Sequence, residues 1–391
     1  MKSIEQLETV TLPAYPAARA VAGTIERYFD ARLAEARQRG PQRLAPKPDA
    51  AAVEAIINAG FWASLRREEG YSPKISLAFL PPEEARQPLT FDHSFPLTAS
   101  VLSRLAPAVE RPGIHLGVWY AADDSSRLRV WGTTRSIPKL CFVLEVIEPG
   151  LLVVKYRRSQ EQGKYVNVAV LKGDQIRIVD ETGSVLPDCP ELITSLLDFG
   201  SRTSKSDSVN VLVQLAASMR AHARGGSLLV VPQGSDDWQR SILRPVSYLV
   251  TPPFSELAEL MRRDPIEKSQ QLWQESFLDA VDEIAGLTAV DGAALITDQY
   301  DLLAFGAKIG RRDGGEQVEQ VVLTEPIVDG VATVVHPLEL GGTRHLSAAQ
   351  FVEDQKDSVA LVASVDGHFT IFAWSPCERM VHAHRVETLL M

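Results

Sequence analysis

The chain predicts two domains of mixed α and β structure. An N-terminal α+β domain is built on an antiparallel sheet, and a C-terminal domain of α+β or α/β type has a mixed sheet flanked by helices. Three observations predict this. Residues 17–39 and 50–67 carry apolar side chains at helical period, residues 113–180 break into short apolar runs punctuated by turn residues, and helix and strand patterns alternate from residue 209 onward. At 391 residues the chain also exceeds the size at which one hydrophobic core usually stops growing.

In chain order, the first helix shows its period in Ala20-Val21-Ala22-Gly23-Thr24-Ile25-Glu26-Arg27-Tyr28-Phe29 and ends at Gly40-Pro41. A proline-containing linker over 43–49 leads to the second helix, which stops near Gly70. Residues 72–112 are rich in proline, including Leu80-Pro81-Pro82-Glu83-Glu84, and read as mostly extended chain with a short helix. Six strands follow at 114–120, 128–131, 140–146, 151–156, 166–171 and 175–179. Asp123-Asp124-Ser125-Ser126, Pro149-Gly150 and Lys172-Gly173-Asp174 turn the chain between them, which predicts an antiparallel meander. Trp119, Tyr120 and Trp131 fall on these strands as sheet core.

A helix over 190–199 precedes the most linker-like stretch of the chain, 200–208, so the domains are placed at 1–200 and 209–391. The second domain begins with an amphipathic helix through Met219. His222-Ala223-Arg224-Gly225-Gly226 then runs into the strand Ser227-Leu228-Leu229-Val230-Val231. Pro252-Pro253 interrupts the pattern, and one long helical segment spans 256–284.

Composition narrows the function classes. A hydrophobic content of 45% with 23% charged residues suits a globular fold. The net charge of -10 and pI near 5.4 disfavour a polyanion-binding surface, so nucleic acid is not an expected partner. No apolar run reaches membrane-spanning length, and Met1-Lys2-Ser3-Ile4-Glu5-Gln6 lacks a signal-peptide core, so no membrane partner and a cytoplasmic location are expected. Cys141, Cys189 and Cys377 are too widely spaced for a disulfide framework or a zinc pattern. Walker A, dinucleotide and Gly-x-Ser-x-Gly motifs are absent from the sequence. His382-Ala383-His384 places two imidazoles on one strand face without a visible third ligand, which reads as a solvated C-terminal strand or tail. Asp236-Asp237-Trp238 and Arg311-Arg312-Asp313-Gly314-Gly315 read as turns.

Two segments of the second domain carry chemistry. Val290-Asp291-Gly292-Ala293-Ala294-Leu295-Ile296 joins a carboxylate and a glycine to a strand-like run, suited to holding a metal ion and bringing backbone close to a phosphate. Gly341-Gly342-Thr343-Arg344-His345 enters Leu346-Ser347-Ala348-Ala349, which sets positive charge and donors at a helix start. Asp291 is also a candidate turn residue and Thr343 a candidate N-cap.

In order and separation, these segments resemble the DGA and (T)RHR motifs of the diadenylate cyclase (DAC) domain, the fold that condenses two ATP molecules into cyclic di-AMP. Asp357-Ser358-Val359-Ala360-Leu361-Val362-Ala363-Ser364-Val365-Asp366-Gly367 is similar to that family's closing strand and its Ser-Glu turn. The resemblance covers the C-terminal half and implies an N-terminal sensor or regulatory module.

It implies roles as well. Asp291, Gly292 and Ala293 would form the catalytic segment, and Gly342, Thr343, Arg344, His345 and Ser364 would bind ATP and its phosphates. Asp291 and Asp366 would hold Mg²⁺ or Mn²⁺, and the domain would self-associate so that two ATP molecules face each other. Asp291 and the Thr343-Arg344-His345 run should then line one cleft. This chain departs from the pattern at Leu346, where the family carries a second arginine, and at Val365, where it carries the acid of the turn. Lys308, Arg311 or Arg312 are candidates to replace the missing cation. The alternative the resemblance leaves open is a DAC-fold domain that binds nucleotide without catalysis.

Overall fold

A computed structural model describes residues 13–38, 40, 43–67, 70–124, 126–157, 165–180, 211–268 and 270–391. The chain divides into two compact units, Met1–Val179 and Asp180–Met391. The helix read at 190–199, the linker at 200–208 and Cys189 lie outside the described residues.

In the first unit, α1 (Pro16–Gln38) buries Val21, Ile25, Phe29 and Leu33, a stripe at four-residue spacing. Helix α2 (Ala50–Ser64) starts where Asp49 Oδ1 accepts a hydrogen bond from the Ala52 N–H at 2.7 Å. It lies so close to the sheet that a Cβ at Gly60 would come within 2.7 Å of the Leu144 side chain. The eight strands are β1 (Ile75–Phe79), β2 (Leu89–Pro96), β3 (His115–Tyr120), β4 (Leu128–Thr134), β5 (Phe142–Glu148), β6 (Leu151–Arg157), β7 (Tyr165–Lys172) and β8 (Gln175–Ile178), with α3 (Ala99–Leu105) between β2 and β3.

Their order is β2-β4-β3-β1-β5-β6-β7-β8. The helices bury one face against Leu77, Phe79, Leu116, Phe142, Leu144 and Val154, each worth roughly 1.5–3 kcal/mol of transfer free energy. The expected meander is corrected in one respect. β1, from the proline-rich stretch, inserts between β3 and β5 and pairs in parallel with β3, Leu77 beside Leu116. Trp131 is core, its ring packed where Gly117 has no side chain.

The second unit begins with α4 (Val211–Ala221) and β9 (Gly226–Val231). β10 (Tyr248–Phe254) accommodates Pro252-Pro253 because it is the edge strand of the sheet. The single long helix expected over 256–284 is instead α5 (Glu256–Arg262), α6 (Pro265–Lys268) and α7 (Gln271–Leu287). Pro265 starts a new helix, since it has no N–H to continue the old one.

Then come β11 (Ala293–Thr297), β12 (Leu302–Ala307), β13 (Val321–Thr324), β14 (Thr333–Val335), α8 (Thr343–Asp354), β15 (Val359–Ala363), β16 (Phe369–Ser375) and β17 (Met380–Arg385). The sheet order is β10-β12-β11-β9-β15-β16-β17-β13-β14, with parallel pairs β9/β11 and β13/β17. One core packs α4, α5 and α7 on one face, and a second packs α8 on the other. The result is a mixed sheet flanked by helices, with fully buried β9 and β15 at its centre.

Candidate functional site

Strand register gathers the chemistry at one end of the second sheet. Ala294 of β11 lies beside Leu228 of β9, and Ala363 of β15 beside Gly226. The starts of β9 and β11 and the end of β15 therefore share an edge, and Gly225, Asp291 and Ser364 lie just outside it. Helix α8 begins over the same edge. A Cβ at Gly225, where φ is +71°, would come within 2.9 Å of Arg344 Nη1 and 3.2 Å of Val365 Cγ2. Gly341, Arg344, His345, Ser364, Val365 and Asp366 line a cleft of about 380 Å³ there.

Asp291 is exposed, and its carboxylate forms an ion pair with Lys308 at the end of β12. Hydrogen bonding and charge from Lys308 hold its pKa below the ordinary carboxylate value, with a further contribution from Arg344. The acid of the first motif thus lies in the field of the arginine of the second. Gly292 does other work than the sequence suggested. Its φ is +121° and an added Cβ would sit 2.4 Å from the Gly306 carbonyl carbon, so the close approach it permits is to a neighbouring strand. Ala293 opens β11 opposite Ala307 and is buried in the core under α8.

In the second motif, Gly342, at φ +89°, is the N-cap of α8, a place the sequence offered to Thr343. Thr343 and Arg344 are exposed on the first turn. His345 is not: it is 1% exposed, its ring 5.9 Å from the Phe372 ring and its Nε2 3.5 Å from Thr370 Oγ1. Burial holds its pKa below the ordinary histidine value. It shares the inward face of α8 with Ala348, Ala349 and Val352. The helical spacing 345, 348, 349, 352 was the signal for this, so His345 serves as wall and support of the cleft.

Ser364 and Asp366 occupy the turn between β15 and β16. A hydrogen bond from the Ser364 hydroxyl is the main cause of a lowered Asp366 pKa, and the turn is closed by the Ser364 N–H donating to the His368 carbonyl at 2.9 Å. Val365 stands 65% exposed between them. Of the candidate substitute cations, Lys308 is engaged by Asp291. The backbone N–H of Arg312 donates to Asp354 Oδ2 at 2.8 Å, which anchors the expected turn, and the Gly315 N–H closes it on the Arg312 carbonyl.

No group of three His, Cys, Asp or Glu side chains able to hold a metal ion occurs among the described residues. Magnesium needs less, since one or two carboxylates suffice when phosphates and water complete the shell. Asp291 and Asp366, exposed and held ionised, are oxygen donors of that kind. His382 and His384 are corrected from solvated to buried. Both lie inside the sheet on β17, with His384 Nδ1 2.7 Å from Thr324 Oγ1 and His382 Nε2 2.9 Å from Glu378 Oε2. Cys141 is buried and Cys377 exposed, and neither is in a disulfide. No helix among the described residues is long and apolar enough to cross a membrane.

Comparison with curated proteins gives no match. Residues 42–135, which span α2, β1, β2, α3, β3 and β4 of the first unit, match the family described as probable sensor domain DACNV, the N-terminal domain of DAC proteins.

Proposed function

We propose that the C-terminal unit is a diadenylate cyclase domain that binds ATP at the Arg344 cleft. Paired face to face with a second copy, it condenses two ATP into cyclic di-AMP and pyrophosphate, governed by the sensor-type N-terminal unit. The observation that carries this reading is that Arg344 of the second motif lines a cleft with Ser364 and Asp366 at the sheet end where Asp291 of the first motif lies within the field of its guanidinium, Asp291 itself standing outside the cleft lining. The sensor-type match in the first unit supports it independently.

In this reading Arg344 and the first turn of α8 receive the triphosphate, the guanidinium through paired charge-assisted hydrogen bonds. Ser364 and the Thr343 hydroxyl complete the donor set. Each ribose 3′-hydroxyl attacks the α-phosphorus of the other ATP: its O–H bond breaks with the proton passing to water, an O–P bond forms, and the bond from that phosphorus to the bridging oxygen breaks, so the two reciprocal attacks close the ring and release two pyrophosphates in line. Catalysis is mainly positioning and charge neutralisation. A divalent cation, Mg²⁺ or Mn²⁺, held by Asp291 and Asp366 would supply further neutralisation on the phosphates. Because one unit holds one nucleotide, a monomer is silent, and the N-terminal unit controls turnover by controlling association.

The second reading is a nucleotide receptor without turnover. It is favoured by the Lys308 ion pair, which occupies the Asp291 carboxylate, and by Val365, which stands where the family carries an acid. One experiment separates them: full-length protein with ATP and Mg²⁺ or Mn²⁺, products resolved by chromatography, alongside Asp291→Asn and Arg344→Ala. Cyclic di-AMP from the parent alone establishes the cyclase. Saturable ATP binding without product, weakened at least about tenfold by Arg344→Ala, establishes the receptor. Absence of both ends the nucleotide reading.

A further inference from the structure

Glu387 is a carboxylate buried to 1% exposure, close to the cleft. Burying a carboxylate costs several kcal/mol unless it is paired and hydrogen-bonded. Glu387 Oε1 accepts from His368 Nδ1 at 2.9 Å, and Oε2 lies 3.5 Å from the Phe369 N–H. The His368 bond supplies that pairing. That bond fixes the imidazole: Nδ1 carries the proton toward Glu387, and Nε2 is left to act outward.

Outward lies Asp366. His368 Nε2 is 3.8 Å from Asp366 Oδ2, too long for a good hydrogen bond. Two donor atoms each about 2.1 Å from a shared cation lie about 3.0 Å apart at an octahedral right angle and about 3.4 Å apart at a tetrahedral angle, so a small side-chain adjustment would bring this pair to chelating distance. Asp366 is in turn oriented by the Ser364 hydroxyl and lines the same cleft as Arg344. Both donors come from one five-residue turn closed by two backbone hydrogen bonds, Ser364 N–H to His368 O and Gly367 N–H to Ser364 O. Both side chains therefore start from a backbone that its own hydrogen bonds hold.

We infer that His368 Nε2 and Asp366 Oδ2 form a divalent-cation site at the rim of the cleft, with Glu387 as the buried residue that orients the imidazole. A nitrogen donor beside a carboxylate suits a transition ion such as Mn²⁺ better than Mg²⁺, which prefers an all-oxygen shell. The remaining positions fall to water and to nucleotide phosphates, and for those phosphates alone the assignment rests on the function proposed above.

The test is Mn²⁺ titration of the full-length protein without nucleotide, followed by electron paramagnetic resonance of free Mn²⁺ and repeated with Mg²⁺ as competitor. The expected result is one Mn²⁺ displaced only by a large Mg²⁺ excess. His368→Gln and Asp366→Asn each weaken binding at least tenfold, and Glu387→Gln weakens it by about ten- to a hundredfold. Thermal unfolding is recorded for every variant, because a merely structural clasp would lower the unfolding temperature and leave Mn²⁺ affinity alone. Mn²⁺ binding indifferent to His368→Gln and Asp366→Asn in folded protein overturns the assignment, even if ATP still binds. Mn²⁺ binding that depends on His368 in a protein that ignores ATP overturns the nucleotide reading and leaves this site standing.

Discussion

The two units treat polar side chains on their sheets in opposite ways. In the first, Ser76 Oγ lies 2.7 Å from His115 Nδ1, and His115 Nε2 lies 2.9 Å from Tyr165 OH, beside the Lys155–Glu145 ion pair. His115 is 1% exposed and both its ring nitrogens are used inside the fold. In the second, His384 makes a similar buried bond to Thr324. At the strand ends, however, Asp291, Arg344 and Asp366 stay exposed above a buried layer of His345 and Glu387. A polar cluster closed on itself specifies packing, whereas charged ends held over a buried support form a place for a ligand. Residue type does not separate the two cases, and exposure does.

The largest effect that sharpens this contrast concerns Gly292, which sits at the open end yet is held by backbone. Gly292→Ala should cost about 3 kcal/mol, since its Cβ would collide with Gly306 at a positive φ. Arg344→Ala, a few ångströms into solvent, should change stability by less than about 0.5 kcal/mol. Urea unfolding measures both, and equal effects would erase the distinction between support and site.

The next effect concerns the buried imidazoles. Burial pushes His115 and His384 down to about 3, with Lys155 and Arg157 adding to the shift of the first and His382 to that of the second. Each folded pKa lies below the unfolded one near 6.5, so between those values the unfolded chain binds protons that the folded chain refuses. Stability is full above pH 6.5 and falls as pH drops toward 3, by about 1.4 kcal/mol per pH unit for each imidazole. His115→Gln should cost about 1–2 kcal/mol at pH 7 and remove one such share of the acid slope. Unfolding curves at pH 7 and pH 5 with the same slope in parent and variant would show that His115 is not held neutral.

The smallest effect concerns Lys308. Lys308→Met frees the exposed Asp291 carboxylate, so thermal unfolding should be unchanged while divalent-cation affinity measured by calorimetry rises. A drop in ATP affinity instead would mean that Lys308 leaves Asp291 for the triphosphate, in the role of the arginine missing at Leu346.

Local pattern was enough for much of the fold. Helices α1, α2 and α4, the six strands from β3 to β8, and β9 follow from period and turn chemistry within a few residues. β1 escaped because all five of its residues are buried, which removes the alternation that marks a strand, and prolines flank it. The break at Pro265 was visible in the sequence, but helical period on both sides concealed it. At the site, the sequence marked Asp291, Arg344, Ser364 and Asp366 by charge and hydrogen-bonding type, and only the fold brings them to one end of the sheet. The burial of His345 was not legible, because its helix face mattered more than its neighbours in sequence, and Glu387 was missed because a lone acid near the end of the chain carries no pattern.

The sequence by itself determined the two-unit α and β organisation, the helices and strands of strong period, and the two short motifs that carry charge. Only the tertiary structure decided that β1 joins the sheet in parallel, that Gly292 serves Gly306, that Lys308 holds Asp291, and that Glu387 backs His368 toward Asp366. Periodicity and turn preference are written in neighbouring residues, whereas burial and pairing across a sheet depend on residues distant in the chain, which only the packed fold brings within contact.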